Sequence, residues 1–132
     1  METIKGKYVN GSSVVEMAYI MPLFLGLFVI LIHAVFYYHD KAVINGAAAE
    51  TAVLGAQADR NAIADYDLEG FFYDRTKGKL IYMRSIEVSV ELGEEAVTVT
   101  ARVNRSIMRL SICQKAVIAR PEKKIRQMER IT

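Results

Sequence analysis

The chain has 132 residues, of which 52 % are hydrophobic and 24 % are charged. This length allows one domain, or a small domain with one additional element, and excludes an enzyme with separate cofactor and substrate domains. Two Pro and eight Gly exclude collagen-like and Pro/Gly-rich low-complexity chains. The net charge of +2 conceals a gradient, because residues 1–39 are neutral, residues 40–95 sum to −5 and residues 96–132 sum to +7.

An uncharged apolar run extends from Met17 to Tyr38. Its 22 residues would rise roughly 33 Å as a helix, which matches a bilayer core of roughly 30 Å. Aromatic residues at its end, followed by His39, Asp40 and Lys41, are typical of a membrane interface. The sequence therefore predicts a transmembrane helix over residues 12–40. A cleaved secretory signal is the weaker alternative, because the run is too long and its end is not a small-residue cleavage site.

The charges that flank the run predict its orientation. Lys5 and Lys7 precede it, whereas only Lys41 follows it closely. The positive-inside rule then places residues 1–11, a basic leader, in the cytoplasm, and the C-terminal remainder outside.

Glu16 stands at the start of the apolar run, where a charge requires a reason. One explanation is local, because Ser13 and Glu16 have the spacing of a capping box and an acid in a first helical turn complements the helix dipole. A second explanation comes from the surrounding pattern. A basic leader ends in Gly11, Glu16 is the fifth residue after it, and Pro22 follows six residues later in the order Val-Glu-Met-Ala-Tyr-Ile-Met-Pro.

This pattern resembles the TadE-like family of minor pseudopilins of Tad (Flp-type) pilus systems. The resemblance covers about residues 5–40, and Ser12 and Met17 depart from the residues most frequent in pilins. It implies cleavage between Gly11 and Ser12 by a prepilin peptidase. It also implies that Glu16 attracts the new α-ammonium group of a neighbouring subunit and sets the register between helices.

Further positions in the run suit a helix that packs with others. Pro22 lacks an N–H group and predicts a kink. Ala18, Gly26 and Ala34 recur at intervals of eight residues and predict close helix contact, although ordinary membrane-helix composition explains them equally well.

Beyond the run, residues 41–77 predict an extracytoplasmic helical stem. Its Ala-rich first part contains no Pro, and Ala42, Ala49 and Ala56 recur every seven residues. We expect one helix from Ser13 to about Leu68, with the acidic residues 65–70 as its solvated end and residues 74–78 as a turn.

Residues 78–132 predict a small β-rich domain with a basic tail. Apolar and polar residues alternate over 86–92 and again over 97–103, with Gly93 between them, which is typical of a β-hairpin. Residues 79–83 extend the first strand in this interpretation, and residues 107–118 add a third strand or a short helix. The apolar face of the hairpin packs on the stem, since a lone hairpin is marginal in water. The fold class is therefore α+β, a long N-terminal helix followed by a small antiparallel sheet.

No catalytic motif is present in the sequence. His33 and His39 lack metal-ligand spacing, and Cys113, the single cysteine, has apolar neighbours that predict a buried thiol. We expect no enzyme activity, no cofactor, no metal and no nucleic acid partner. The partners implied are the lipid bilayer, other pilin-like subunits, Tad assembly proteins and a prepilin peptidase in a bacterial plasma (inner) membrane. The alternative is a plain membrane anchor whose basic tail binds an anionic cell-wall polymer or lipid.

Overall fold

The computed structural model describes residues 11–58, 66–106, 108–118 and 121–131. The described residues divide into two units, one that ends at Phe36 and one that begins at Tyr37. The elements in chain order are α1 (Gly11–Gln57), α2 (Leu68–Thr76), β1 (Ile86–Leu92), β2 (Ala96–Arg105), β3 (Met108–Val117) and α3 (Pro121–Glu129). An α+β protein with a long N-terminal helix and a small antiparallel sheet is confirmed. The predicted segment boundaries at residues 11, 40 and 77 stay predictions.

The first unit contains the N-terminal part of α1, and its apolar side chains are exposed. Leu23 is 72 % exposed and Ile30 is 69 % exposed, and no residue of the apolar window is buried. By length and composition, α1 is the one helix in the described residues that could cross a membrane. An apolar helix without a buried face is what lipid, rather than a protein core, would stabilise.

The second unit uses the rest of α1 quite differently. The buried positions of the helix recur at intervals of three and four residues, the period of one α-helical face: Asp40, Ile44, Ala47, Ala48, Thr51 and Ala52. Gly55 continues this face, because a Cβ at this position would lie 3.1 Å from a methyl carbon of Val97 and 3.2 Å from one of Leu68. Small residues therefore let the helix approach the sheet closely. Of the predicted repeat, Ala56 packs against the core, whereas Ala49 is half-buried and Ala42 is exposed.

The sheet has the order β1-β2-β3 with antiparallel pairing throughout. Val90 pairs with Val99 across β1 and β2, and Ala101 pairs with Ile112 across β2 and β3. Strand residues alternate between buried and exposed, so one face enters the core, as the period of two predicted. The hairpin and the third strand are confirmed, but residues 79–83 form no strand.

The core of the second unit joins one face of α1, one face of the sheet and α2. Phe72 of α2 is fully buried with Val97 and Val99 of β2 and Ile44 of α1. This confirms that the sheet packs on the helix that follows the apolar run. Two buried hydroxyls are satisfied within their own helices, because Thr51 donates to the Ala47 carbonyl and Thr76 to the Phe72 carbonyl.

The predicted end of the long helix at Leu68 is wrong. The helix α1 ends at Gln57, and Leu68 begins α2. The carboxylate of Asp67 accepts a 2.8 Å hydrogen bond from the Gly70 amide, so this acidic stretch begins a helix rather than ending one.

The predicted turn at residues 74–78 is shifted, because α2 continues to Thr76 and Gly78 follows with φ 75°. Residues 59–65, part of the predicted stem, lie outside the described residues.

The prediction of a buried Cys113 thiol is also wrong, because this residue is exposed. Leu110 and Ile112 of β3 face the core, and the alternation of side chains along a strand sends Cys113 to the opposite face. The apolar neighbours in the sequence belong to the other face of the strand.

Candidate functional site

The first candidate site is the N-terminal part of α1, where the residues of the TadE-like pattern lie. Gly11 is the first described residue of the helix and is exposed, and Glu16 and Pro22 are exposed on the helix as well. Because the backbone is already helical at Gly11, Ser13 lies inside the helix. Both explanations of Glu16, the local one and the one that involves another subunit, stay predictions.

The small residues of this segment wind around the helix. Ala18, Gly26 and Ala34 are all exposed. A step of eight residues turns an α-helix by about 80° beyond two full turns, so these residues do not form one straight stripe. Each could contact a different neighbouring helix. Their role in packing, the kink at Pro22 and the cleavage between Gly11 and Ser12 stay predictions.

The second candidate site is a buried carboxylate at the start of the C-terminal unit. Asp40 is fully buried, and its two oxygens accept backbone hydrogen bonds from three consecutive residues. The Tyr82 amide lies 2.6 Å from Oδ2 and the Met83 amide 2.9 Å from the same oxygen. The Ile81 amide lies 2.9 Å from Oδ1 and 3.2 Å from Oδ2. One side chain of α1 thus holds the loop before β1.

These contacts determine the charge of Asp40. Burial by itself raises the pKa of the carboxyl group. The hydrogen bonds from Ile81, Met83 and Tyr82, together with His39, outweigh burial and hold the pKa of Asp40 below its usual value. The side chain is therefore an anion at neutral pH, although it is buried.

Sequence reasoning missed this role of Asp40. The sequence indicates only that Asp40 belongs to the charged flank beside the apolar run, next to His39 and Lys41. Its partners lie 41 to 43 residues further along the chain. The only local signal is that Asp40 lies four residues before Ile44, on the face that becomes buried.

Polar contacts also hold the other elements of the second unit. Arg75 of α2 forms a 2.7 Å ion pair with Glu50 of α1, and Gln114 of β3 donates a 2.6 Å hydrogen bond to Asn45 of α1. The Tyr73 hydroxyl donates to the Ile86 carbonyl at 3.0 Å. Within the described ranges, no group of three His, Cys, Asp or Glu residues could hold a metal ion.

An exposed apolar helix and a compact α+β unit together fit a single-pass membrane protein. A protein-family model described as TadE-like protein matches residues 11–53, about a third of the chain. The resemblance predicted from Val15 to Pro22 is thereby confirmed, and with the apolar helix it indicates a membrane protein associated with a Tad pilus. No curated protein and no solved structure matches the chain significantly.

Proposed function

We propose that the protein is a single-pass pseudopilin that is a structural or assembly component of a Tad (Flp-type) pilus or a related secretion filament. The observation that carries this proposal is the motif around Glu16, which lies on an exposed apolar helix within the segment that matches the TadE-like family model. The basic residues Lys5 and Lys7 support a cytoplasmic N-terminus and an extracytoplasmic C-terminal unit in a bacterial plasma membrane.

Removal of the leader follows from this proposal. A prepilin peptidase would cut between Gly11 and Ser12, so that Ser12 carries the new α-ammonium group. Gly11 is exposed, and a Cβ built at this position meets no atom within 4 Å, so the bond is not enclosed by other described side chains. The mass of the mature chain would then lack residues 1–11.

Glu16 is the assembly residue in this proposal. In a subunit inserted beside others, its carboxylate would pair with the α-ammonium group of a neighbouring Ser12. Two opposite charges attract far more strongly in a lipid-surrounded site than in water. Such a pair stabilises the assembly only while both charges stay partnered, because either charge alone is costly in a bilayer. The pair would therefore select one axial register between helices.

The substitution Glu16→Ala tests this role in cells that assemble the filament. We expect the variant to insert into the membrane at the normal level and to be incorporated into filaments or assembly complexes at a greatly reduced level. Glu16→Gln should show the same defect, because it keeps the length of the side chain and removes its charge. Incorporation is measured as the ratio of filament-bound to membrane-bound protein.

Glu69→Gln provides the matched control, because Glu69 is also exposed but belongs to the C-terminal unit. This control should be incorporated normally. Normal incorporation of both Glu16 variants would contradict the assembly role of Glu16. The intact mass of the wild-type chain from its native membrane tests processing separately, since an uncut chain would limit the protein to an unprocessed accessory role.

A further inference from the structure

The loop that Asp40 holds lies beside the point where the apolar run ends. Tyr38 is the last residue of that run, and Asp40 follows two residues later on the same helix. The amides of Ile81, Tyr82 and Met83 all contact the Asp40 carboxylate at 2.6–3.2 Å. Two residues of an α-helix rise about 3 Å. The loop is therefore within a few ångströms, along the helix, of the first residues past the apolar run.

Four exposed cations surround this loop, and we call them the basic collar: Lys41, Lys79, Arg84 and Arg105. Lys41 follows Asp40 directly on α1. Lys79 lines a cleft with Ala42 and Val43 of α1. Arg84 and Arg105 line a second cleft with Tyr82 and Met83, and the Arg105 guanidinium donates a hydrogen bond to the Tyr82 carbonyl. The collar is thus assembled from α1, the loop and β2.

The anions near the loop are outnumbered by cations. Glu50 lines the cleft that contains Lys79, but it is ion-paired with Arg75, which lines the same cleft. Asp40 is fully buried and bound to backbone amides, so it offers no exposed carboxylate. Asp74 shares a cleft with Lys77 and Arg84, so cations outnumber anions there as well. Among the described residues, none of the four collar cations lies within 4.0 Å of a carboxylate as an ion pair, whereas Arg75 does and is therefore not counted.

Apolar and aromatic side chains accompany the collar. Ile81, the first of the three residues whose amides contact Asp40, is 39 % exposed. Tyr37 and Tyr38 pack edge to face at the end of the apolar run, with ring centroids 5.6 Å apart. Aromatic rings next to Lys and Arg side chains are typical of the headgroup layer of a bilayer, where long basic side chains reach phosphate groups.

From this arrangement we propose that the basic collar binds anionic phospholipid headgroups in the outer leaflet, on the side of the membrane where the C-terminal unit lies. This inference rests on the membrane anchoring proposed above. A juxtamembrane cation strengthens binding to an anionic leaflet about fivefold. Because the Asp40 contacts hold the loop on α1, headgroup binding would also orient the C-terminal unit at the membrane surface.

The test compares two variants of the full chain, each with three cations replaced. The collar variant is Lys41→Gln, Lys79→Gln and Arg84→Gln. Arg105 is retained because it binds the Tyr82 carbonyl. The tail variant is Lys123→Gln, Lys124→Gln and Arg126→Gln, which removes the same charge from the basic tail. Both are reconstituted into phosphatidylcholine vesicles, and electron paramagnetic resonance measures the association of spin-labelled phosphatidylglycerol relative to spin-labelled phosphatidylcholine.

We expect the wild-type chain to prefer phosphatidylglycerol. The collar variant should show this preference reduced by at least about fivefold, the effect of one juxtamembrane cation. The tail variant should retain the preference. A collar variant with wild-type preference would overturn the proposal, as would loss of preference in the tail variant alone, which would assign the lipid contact to the tail. High salt should weaken the preference if headgroup charge carries it.

Two controls separate the possible causes of failure. Resistance to extraction by alkaline carbonate reports membrane insertion, so a chain that is extracted contradicts the anchoring, whereas an inserted chain without lipid preference contradicts only the collar. A charge-conserving variant, Lys41→Arg, Lys79→Arg and Arg84→Lys, should keep the preference. Its failure, with an unchanged circular dichroism spectrum, would show that charge at these positions does not determine lipid binding.

Discussion

Two parts of the same helix, α1, differ in what covers their side chains. Residues 13–35 carry large apolar side chains that are exposed on every face of the helix, for example Leu23 at 72 %. Residues 40–57 carry mostly small side chains, yet one face is buried against β2 and α2. Hydrophobicity therefore does not predict which part of α1 enters the protein core. The period and the size of the side chains do predict it. The part of α1 that packs on the sheet has one face of mostly small residues, whereas lipid can contact every face of a helix.

The largest expected effect on the free energy of unfolding is the difference between two phenylalanine substitutions, one in each unit. Phe72 is fully buried and Phe28 is 59 % exposed. Phe72→Ala should lower the free energy of unfolding of the C-terminal unit by about 3–5 kcal/mol, since it leaves a cavity in the core. Phe28→Ala should change it by less than about 0.5 kcal/mol. Urea unfolding of the full chain in detergent micelles, followed by near-ultraviolet circular dichroism, measures both, and equal losses would contradict the contrast.

An intermediate effect is expected for the glycines of the two parts. A Cβ at Gly55 would lie 3.1 Å from Val97, whereas one at Gly26 meets no atom within 4 Å. Gly55→Val should destabilise the C-terminal unit by about 1–3 kcal/mol, because the helix must move away from the sheet. Gly26→Val makes the same change in helix propensity without this clash.

The same unfolding measurement distinguishes the two glycine variants. Unfolding of the C-terminal unit should be unchanged in Gly26→Val. If Gly26 packs against another subunit, this variant should instead reduce incorporation into filaments. Equal destabilisation by the two substitutions would show that Gly55 has no special contact with the sheet.

The smallest expected effect is the response of the Asp40 contacts to acid. The pKa of Asp40 is lower in the folded chain than its ordinary value of 3.8. Its contribution to stability is therefore fully present above that ordinary value, and is lost as the pH falls through the lower folded value. The loss of the hydrogen bonds should be incomplete, because a protonated carboxyl group still accepts a hydrogen bond.

Unfolding measured across the acid range tests this response. In Asp40→Asn, the part of the pH dependence that belongs to Asp40 should disappear. The free energy of unfolding at neutral pH should also fall, because the Asn side chain offers one acceptor oxygen to three backbone N–H groups. A pH dependence identical to that of the wild-type chain would show that other carboxylates account for acid unfolding.

Much of the architecture could be predicted from local pattern. The apolar run, the alternation over residues 86–92 and 97–103, and the motif from Val15 to Pro22 are all short-range signals, and each was confirmed as a helix, a hairpin or a family resemblance. The end of α1 was predicted incorrectly because Asp67 has the local chemistry of a solvated helix end and of an N-cap alike. The Cys113 thiol was misplaced because apolar neighbours were given more weight than strand alternation.

By itself the sequence determined the exposed apolar helix and the β-hairpin that follows it, since these depend on period and composition within a few residues. Only the tertiary structure decided which face of α1 is buried and that Asp40 binds a loop 41 to 43 residues away. Such a contact follows from the closure of the chain around a shared core, where a buried carboxylate and three backbone amides satisfy one another. No local pattern specifies which distant amides those are.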